Sequence, residues 1–396
     1  MGRSEVDLRR ICVVTTSRAD YGLLCGLMRA IREDEALELQ VIATGMHLCP
    51  EFGLTFQNIE EDGFRIDRKI EMLLSADSDS AATKSIGVGL MAFADAFDSL
   101  RPEIVVVLGD RFELLSAAIA ALMAKVPLAH IHGGETSQGA IDESVRHAIT
   151  KMASLHFAAT ETYRQRIIQM GEDPRHVFAV GAPGLDAVHE VPLLTKEALE
   201  SHLDFELRGV TAIVTYHAVT LERDTAEQQI ENVLSALLEE NVRAVFTKSN
   251  ADTQGRTINK RIAGFCRDHP ADYCLHDNLG QKVYLSCLRH LDLMIGNSSS
   301  GIIEAPSFRL PVVNVGDRQK GRIRAANVID VGYSIASIVS GIKQATSSGW
   351  LDLITDMNNP YDIYGEQRVS AVIKDQLKII VLGEALIKKR FYDIVL

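Results

Sequence analysis

The stretch Ile104-Val105-Val106-Val107-Leu108-Gly109-Asp110-Arg111 decides the fold class of this chain. Its unbroken run of apolar, mostly β-branched residues predicts a strand buried on both faces, as in parallel sheets that are covered by helices. Because ligands of such sheets bind beyond the carboxyl ends of the strands, Asp110 and Arg111 are candidate site residues. Asp110 could equally cap the helix that is predicted to follow.

Short apolar strands and longer helices alternate along the rest of the chain. Strands are predicted at 11–15, 39–43, 104–108, 128–131, 155–158, 177–180, 212–215, 242–246, 291–295 and 310–315. Helices are predicted at 21–32, 80–100, 112–124, 142–153, 225–240, 254–268 and 375–389. The alternation predicts an α/β fold with parallel sheets, and its restart near residue 210 predicts two domains. We place these domains at 1–187 and 195–374, and we leave open whether 375–396 returns to the first.

Composition argues against several classes of protein. The chain has 396 residues, of which 46% are hydrophobic, and its net charge of −12 is unlike that of a general nucleic-acid binder. No apolar run approaches the roughly 18 residues that span a membrane. The six cysteines form no C-x-x-C pair, which favours reduced thiols over a disulfide framework. We therefore expect a cytoplasmic protein that binds neither nucleic acid nor membrane.

The loop after the first predicted strand contains Arg18. At such a strand-to-helix turn, a ligand phosphate can meet both the guanidinium and free backbone N–H groups. The alternative is that Arg18 is an ordinary surface residue and that Asp20 is the N-cap of the helix.

A second loop carries His130, His132 and Glu135, with Asp142 shortly after them. Because the two histidines are two residues apart, we expect them on one face of a strand, where Glu135 would complete a possible metal-ligand set. The spacing is not that of H-E-x-x-H, and we favour a buried core role for His130. The alternative is acid/base chemistry by the carboxylates of Glu135 and Asp142. Asp142 could also cap its helix.

In the second half, the most informative stretch is the Gly/Ser-rich segment at 296–301, between a predicted strand and a helix. Backbone N–H groups, the helix dipole and hydroxyl groups would form a diphosphate cradle there. The cradle residues are Ser298, Ser299, Ser300 and Gly301. Glu304, one helical turn further on, could accept hydrogen bonds from ribose hydroxyls.

Two other loops of the second half contribute candidates. His217 follows the strand at 212–215, where a lone histidine is more often structural than catalytic. The loop at 317–324 has a net charge of +3 and predicts an anion clamp by Arg318 and Arg322, unless it is simply a solvated basic turn. Neither GxxxxGK[ST] nor GxGxxG follows a predicted strand, so we expect no nucleotide cofactor. We also expect no metal, because the spacing of His130 and His132 is not that of H-E-x-x-H.

Together these segments resemble the hydrolysing UDP-N-acetylglucosamine 2-epimerases of sialic-acid biosynthesis. The resemblance is to the bacterial enzymes and to the epimerase half of the human bifunctional epimerase/kinase. The matching motifs are Ser17-Arg18-Ala19-Asp20-Tyr21, Thr44-Gly45-Met46-His47, Gly109-Asp110-Arg111, His130-Ile131-His132-Gly133-Gly134-Glu135, Ile141-Asp142-Glu143-Ser144-Val145-Arg146-His147, Ser249-Asn250-Ala251-Asp252, Gly296-Asn297-Ser298-Ser299-Ser300-Gly301 and Gly316-Asp317-Arg318-Gln319-Lys320-Gly321-Arg322. They follow the order of the family and extend over nearly the whole chain.

The resemblance implies two Rossmann-like domains facing a cleft, the glycosyltransferase-B type, with UDP held mainly by the second domain. It assigns UDP binding to Asn250, Ser298, Ser299, Glu304 and Arg318, with Arg18 and Arg111 reaching across from the first domain. It also implies that Asp110, Asp142 and His217 are functionally essential. Some relatives have glutamate in place of His132, which makes the neighbouring Glu135 the stronger candidate here. The family further suggests a homodimer or a higher homo-oligomer.

The expected reaction follows from the chemistry of the sugar. Carbon 2 of UDP-N-acetylglucosamine has no adjacent carbonyl, so its proton becomes removable only as UDP leaves carbon 1. Loss of that proton and addition of water would give N-acetylmannosamine and UDP. The same reaction on a 2,4-diacetamido-2,4,6-trideoxy sugar nucleotide, as in legionaminic-acid pathways, is the alternative. A glycosyltransferase, a metal hydrolase built on His130, His132 and Glu135, and a non-catalytic nucleotide-sugar sensor are the other classes.

Overall fold

The computed structural model describes residues 8–76, 78–138, 140–219, 222, 225–249, 254–365 and 368–394. The chain divides into two compact units. Unit 1 consists of Met1–Glu135, Asp142–Ala187 and Tyr361–Leu396, and unit 2 consists of Thr136–Ile141 and Val188–Pro360. The chain therefore passes between the units more than once.

In chain order, the strands of the described residues are β1 (Arg9–Thr15), β2 (Leu37–Thr44), β3 (Arg68–Ile70), β4 (Ile104–Leu108), β5 (Leu128–Ile131), β6 (Leu155–Ala158), β7 (Val177–Ala179), β8 (Thr211–Thr215), β9 (Arg243–Thr247), β10 (Tyr273–His276), β11 (Leu293–Gly296), β12 (Val312–Val315) and β13 (Val328–Val331). The helices are α1 (Arg18–Arg32), α2 (Phe56–Glu61), α3 (Asp79–Leu100), α4 (Phe112–Met123), α5 (Asp142–Met152), α6 (Glu161–Gln169), α7 (Asp186–Glu190), α8 (Lys196–Leu203), α9 (Ala226–Glu239), α10 (Gly255–Asp268), α11 (Gly280–His290), α12 (Ser300–Ile303), α13 (Ile335–Ala345), α14 (Ser348–Ile354), α15 (Val369–Ile379) and α16 (Glu384–Ile387). None of the helices in the described ranges is long and apolar enough to cross a membrane.

Unit 1 is built on a parallel sheet whose described strands follow the order β3-β2-β1-β4-β5-β6-β7. Alternate residues of each central strand enter opposite cores: Val13 and Val106 pack on one face, while Val14 and Val107 pack on the other. Since both faces are covered, a central strand such as β4 must be apolar throughout. The prediction of a doubly buried strand at 104–108 is confirmed.

The chain returns to unit 1 through α15, which packs against α1. Asp186 caps this helix, because its two carboxylate oxygens accept hydrogen bonds from the backbone N–H groups of Val369 and Ser370, both at 2.8 Å. The predicted helix at 375–389 was therefore placed too late. Its true N-terminus could not be predicted because the cap lies 183 residues earlier in the chain.

Unit 2 repeats the same architecture on its own sheet, whose described strands follow the order β10-β9-β8-β11-β12-β13, all parallel. Its core includes Val214, Phe246, Ile295 and Val313 from four adjacent strands. In both units, strand order reverses after the third strand, as in a doubly wound sheet. The predicted class of two Rossmann-like α/β domains is confirmed.

Three strands that the sequence analysis did not predict, β3, β10 and β13, lie at the edges of the two sheets. Edge strands are partly open to solvent and need no continuous apolar run. In β3, for example, Arg68 and Lys69 are exposed and only Ile70 is buried. The continuous apolar run that identified the central strands is therefore absent from β3, β10 and β13.

Candidate active site

In unit 1, the carboxyl ends of β1, β4 and β5 lie side by side, because the three strands are neighbours in the sheet. The strand order reverses between β1 and β4, which is the place where doubly wound sheets bind ligands. The turns that follow these strands carry most of the residues predicted for the first domain.

The β1–α1 turn presents Arg18 as the first residue of α1. Ser17 is the N-cap of this helix, and Asp20 accepts hydrogen bonds from the backbone N–H groups of Thr16 and Ser17, both at 2.8 Å. The expectation that Asp20 could be the N-cap is therefore wrong, since Asp20 occupies the third helical position and completes a capping box. These bonds fix the turn and hold the half-buried Arg18 at the carboxyl end of β1.

Asp110 lies just beyond β4 and is ion-paired with Arg146 of α5. Arg146 is fully buried, and its Nη1 also lies 3.2 Å from Oε2 of Glu143. Arg111, not Asp110, occupies the N-cap position of α4, so the capping role considered for Asp110 is wrong. No local pattern identifies Arg146 as the partner of Asp110, because it lies 36 residues further along the chain.

Arg111 and Asp142 stand at the beginnings of two helices of unit 1. The Nη2 atom of Arg111 lies 2.8 Å from Oε1 of Glu113, which is itself fully buried, so the guanidinium is anchored at the start of α4. Asp142 is the first residue of α5 rather than the residue before it, and it is half-buried. Its carboxylate lies in the first turn of α5, next to Glu143 of the Arg146 ion pair.

His130 is a satisfied core histidine, as predicted. Its Nε2 donates to the carbonyl oxygen of Gly109 at 2.7 Å, and its Nδ1 lies 3.1 Å from Oγ1 of Thr150. Complete burial lowers the pKa of His130 from 6.5 to about 3, because the charged imidazolium would be desolvated. His130 therefore remains neutral and supports the Gly109–Asp110 turn.

His132 and Glu135 form a buried pair. Nδ1 of His132 lies 2.5 Å from Oε1 of Glu135, and the two residues are only 5% and 1% exposed. The expectation that His130 and His132 share one strand face is wrong, since β5 ends at Ile131 and His132 adopts a left-handed φ of 64°. Both ring nitrogens of His130 already have protein partners, and no group of three or more His, Cys, Asp or Glu in the described part of the chain is placed to hold a metal ion.

In unit 2, the carboxyl ends of β8, β9, β11 and β12 are also adjacent. His217 lies two residues beyond β8 and is 7% exposed, with its Nδ1 3.3 Å from Oγ of Ser249, which follows β9. The side-chain amide of Asn297, which follows β11, bonds to the backbone of His217. The sequence analysis quoted Asn297 within a motif but gave it no role. Asn250, predicted to bind UDP, lies outside the described residues.

The serine-rich turn differs from the predicted cradle at the start of a long helix. The helix that it opens, α12, has only four residues, and a 3-10 turn containing Pro306 follows it, so there is little helix dipole at this point. Ser298 and Ser299 are half-buried, and Oγ of Ser298 accepts a hydrogen bond from the backbone N–H of Ser300 at 3.3 Å. Local backbone N–H groups and hydroxyls, rather than a macrodipole, characterise this turn.

The other two residues of the predicted cradle, and Glu304 after them, have local roles in the described structure. The Ser300 hydroxyl accepts a hydrogen bond from Tyr284 at 2.6 Å, and Ser300 is buried. Gly301 allows close packing, since a Cβ atom there would lie 2.8 Å from Cγ1 of Val312. Glu304 follows one turn later, and its backbone N–H bonds to the Ser300 carbonyl at 3.0 Å.

The basic loop at 317–324 is anchored to the serine-rich turn through the carbonyl oxygen of Asn297. That oxygen accepts hydrogen bonds from Nη1 of Arg318 at 3.3 Å and from Nε2 of Gln319 at 2.8 Å. Gln319 is 1% exposed, and its Oε1 has no hydrogen-bond partner among the described residues. Arg318 is thus bonded to the backbone of the residue that precedes Ser298, and its predicted role in an anion clamp stays a prediction.

The other two arginines of the loop at 317–324 have protein partners within unit 2. Nε of Arg322 donates to the carbonyl oxygen of Thr136 at 3.2 Å. Arg324 is ion-paired with Asp330 of β13, which neutralises part of the predicted positive charge of the loop. Among the loop arginines, Arg318 alone contacts Asn297 in the described structure.

Comparison with known proteins identifies the family. The family model described as UDP-N-acetylglucosamine 2-epimerase matches residues 29–378 of this chain. The chain belongs to this family of sugar-nucleotide epimerases.

Several characterised relatives are similar over most of their length. The GDP/UDP-N,N'-diacetylbacillosamine 2-epimerase (hydrolyzing) of Campylobacter jejuni is 44% identical over 81% of this chain and 84% of its own length. The UDP-N,N'-diacetylbacillosamine 2-epimerase (hydrolyzing) of Legionella pneumophila is 38% identical over 96% of this chain and 99% of its own. The polysialic acid biosynthesis protein P7 of Escherichia coli is 37% identical over 98% of both chains.

Solved structures support the fold. The UDP-GlcNAc 2-epimerase of Neisseria meningitidis, bound to UDP-GlcNAc, has a TM-score of 0.78 and 17% identity, covering 93% of this chain and 99% of its own. A UDP-N-acetylglucosamine 2-epimerase from Listeria monocytogenes, described as putative, has a TM-score of 0.76 and 18% identity, covering 98% of this chain and all of its own. At these identities the likeness concerns the fold.

The burial of His130 predicts a specific pH dependence of stability. Between its folded pKa of about 3 and its ordinary value of 6.5, the unfolded chain binds a proton that the folded chain does not, so stability falls as the pH drops below 6.5. This group contributes up to about 1.4 kcal/mol per pH unit. His130→Gln can still donate to Gly109 and cannot titrate, so its thermal midpoint should fall less steeply between pH 6.5 and 5.

Differential scanning calorimetry measures this slope. His202→Gln, at an exposed histidine of α8, is the matched control and should keep the slope of the wild-type protein. Equal slopes for His130→Gln and the wild-type protein would contradict the assignment of His130 as a neutral core group.

Proposed function

We propose that this chain is a hydrolysing 2-epimerase that converts UDP-2,4-diacetamido-2,4,6-trideoxyglucose (UDP-N,N'-diacetylbacillosamine) and water to UDP and 2,4-diacetamido-2,4,6-trideoxymannose. The observation that carries the proposal is the similarity to two enzymes named for this sugar nucleotide, at 44% and 38% identity. Their names favour the diacetamido sugar over UDP-N-acetylglucosamine, which the sequence analysis put first. Both sugars require the same bond changes at carbons 1 and 2.

The reaction requires departure of UDP and transfer of a proton at carbon 2. As the bond between carbon 1 and the diphosphate oxygen breaks, carbon 1 becomes electron-poor, and a base can take the proton from carbon 2 to form a glycal. Water then adds to carbon 1, and a proton is delivered to the opposite face of carbon 2. The protein must therefore stabilise the leaving diphosphate and supply at least two groups that exchange protons.

In unit 2, we assign nucleotide binding to the residues around Asn297. Arg318 is held 3.3 Å from the Asn297 carbonyl and supplies positive charge for the diphosphate. Ser298 and Ser299 supply hydroxyls on the adjacent turn, and Glu304 is assigned to the ribose. His217, with Nδ1 fixed near Ser249, is assigned to the leaving group, where its other ring nitrogen can donate a proton.

In unit 1, we assign proton transfer to three acidic side chains. Asp110 is held in place by its ion pair with the buried Arg146, and we assign it as a base. Glu135 is held by a hydrogen bond of 2.5 Å with His132, and we assign it to the second proton transfer. Asp142 is the third candidate, while Arg18 and Arg111 add positive charge for the leaving diphosphate.

The substrate assignment is tested by incubating the purified protein with UDP-N,N'-diacetylbacillosamine, its GDP analogue and UDP-N-acetylglucosamine, with no acceptor present. We expect UDP and the free trideoxymannose derivative from the first compound, because the proposed reaction uses water alone. Mass spectrometry and NMR of the products show which sugar nucleotide is converted and to what. Turnover of UDP-N-acetylglucosamine alone would transfer the assignment to that substrate, and a requirement for an acceptor would indicate a glycosyltransferase.

The division of roles predicts two classes of variants. Ser299→Ala and Arg318→Ala should weaken UDP binding, by about 1.5–3 kcal/mol for the charge-assisted bond of Arg318. Asp110→Asn and Glu135→Gln should lower kcat while leaving UDP affinity within about threefold, because they act on the sugar. Calorimetric titration with UDP and steady-state kinetics measure the two effects.

Arg267→Ala is the matched control for charge, because Arg267 is an exposed arginine of α10 in unit 2. It should change neither UDP affinity nor kcat. If Asp110→Asn and Glu135→Gln lose UDP affinity as strongly as Arg318→Ala, their assignment to proton transfer is wrong.

The elimination route predicts where isotopes appear. Product made in D2O should carry one deuterium at carbon 2, because the original proton is lost and a solvent proton is delivered. Oxygen from labelled water should appear on sugar carbon 1 and not in UDP, because the glycosyl bond breaks on the sugar side. Mass spectrometry of both products detects the labels. An unlabelled carbon 2, or labelled phosphate, contradicts elimination.

A further inference from the structure

The side chain of Asn297 makes two hydrogen bonds to the backbone of His217. Its Oδ1 accepts the backbone N–H of His217 at 2.7 Å, and its Nδ2 donates to the backbone carbonyl of His217 at 2.8 Å. Asn297 is fully buried, so these two bonds are shielded from water. The side-chain amide of Asn297 therefore makes the two backbone hydrogen bonds of His217 that a residue of a neighbouring strand would otherwise make.

The pairing continues the sheet beyond the last regular bonds between β8 and β11. The backbone N–H of Asn297 bonds to the carbonyl of Thr215 at 3.1 Å, and the side-chain amide then reaches two residues further. Gly296 makes this close approach possible, because its φ is 137° and a Cβ atom there would lie 1.9 Å from the Thr215 carbonyl oxygen. The backbone of His217 is thus held although it lies outside the strand.

A second asparagine holds the neighbour of the His217 ring in a similar way. Oδ1 of Asn259 accepts the backbone N–H of Ser249 at 2.7 Å, and its Nδ2 donates to the Ser249 carbonyl at 3.3 Å. Since Oγ of Ser249 lies 3.3 Å from Nδ1 of His217, both loops that meet at the imidazole are fixed by side-chain amides. The orientation of the ring is therefore determined from two sides.

Asn297 also connects His217 to the loop that carries Arg318. The backbone carbonyl of Asn297 accepts hydrogen bonds from Arg318 and Gln319, which follow β12. Its side chain bonds to His217, which follows β8. Asn297 therefore contacts both segments. A side-chain amide offers a donor and an acceptor side by side. Aspartate at this position would leave the carbonyl oxygen of His217 without its donor, and leucine would leave both the N–H and the carbonyl oxygen without a side-chain partner.

We propose that Asn297 is a positioning residue that acts through His217, fixing the imidazole relative to the nucleotide site of unit 2. The proposal rests on the proposed function, in which His217 protonates the leaving group. It implies that loss of the Asn297 amide lowers the rate of the chemical step without removing the nucleotide. The bond from Arg318 is made to the backbone carbonyl of Asn297, so substitution of the side chain leaves it in place.

The test compares Asn297→Ala and Asn297→Asp with Asn314→Ala. Asn314 is the matched control, because it is a buried asparagine of the adjacent strand β12, and its Nδ2 donates to Asp330 of β13 at 2.7 Å and not to His217. We expect both Asn297 variants to lower kcat roughly 10- to 100-fold, since small displacements of a reacting group have effects of that order. UDP affinity should stay within about threefold of wild type.

A second measurement reports on the ring itself and does not depend on turnover. In protein labelled with [13C]histidine, the signal of His217 is identified as the one that disappears in His217→Gln. We expect this signal to shift or broaden in both Asn297 variants and to keep its wild-type position in Asn314→Ala.

The outcomes distinguish failure of the positioning role of Asn297 from failure of the proposed epimerase function. An unchanged His217 signal in the Asn297 variants, or unchanged kcat, would overturn the positioning role. Equal losses of kcat and UDP affinity in all three variants would indicate general loosening of unit 2 and would also overturn it. If the wild-type protein turns over none of the sugar nucleotides, the proposed function fails, while the NMR signal still decides whether Asn297 positions the ring.

Discussion

A parallel strand that is buried on both faces has little room for charged side chains except at its ends, and this constraint determines where the chemistry of this protein lies. β4 is apolar from end to end, and the first charged residues after it appear where the chain leaves the sheet. Because parallel strands all leave at the same edge, polar residues from distant parts of the sequence collect there. Each unit has its own parallel sheet, and polar loops therefore collect at the carboxyl edge of each sheet separately.

The polar groups in these loops are held by partners from the same loop or from a helix that packs on the sheet. Asp20 ties the β1–α1 turn, Arg146 fixes Asp110, and Glu135 pairs with His132. Each contact satisfies a buried donor or acceptor that would otherwise destabilise the fold. The cost of burying these groups is therefore offset by bonds that also orient them, which is what a site for proton transfer requires.

The two units achieve this in different ways. Unit 1 uses ion pairs and a carboxylate–imidazole pair, which suits chemistry in which protons move. Unit 2 uses neutral amides, with Asn297 and Asn259 pairing with backbone groups. Arg318, whose Nη1 bonds to the carbonyl oxygen of Asn297, adds a positive charge to a part of the molecule that we assign to a diphosphate. This difference in chemistry agrees with the roles that we propose for the two halves.

The amino-acid sequence by itself determined the fold class, the central strands and the loops that carry the candidate residues, because doubly buried strands and glycine-rich turns leave local patterns. It also placed His130 in the core correctly. The edge strands β3, β10 and β13 and the start of α15 were decided by tertiary structure. The roles of Asp20 and Asp110 depend on hydrogen-bond and ion-pair partners that local patterns do not reveal. The most important contacts join residues far apart in sequence, such as Asn297 and His217, which are separated by 80 residues. No local pattern encodes such a pairing, since it exists only when two strands become neighbours in the sheet.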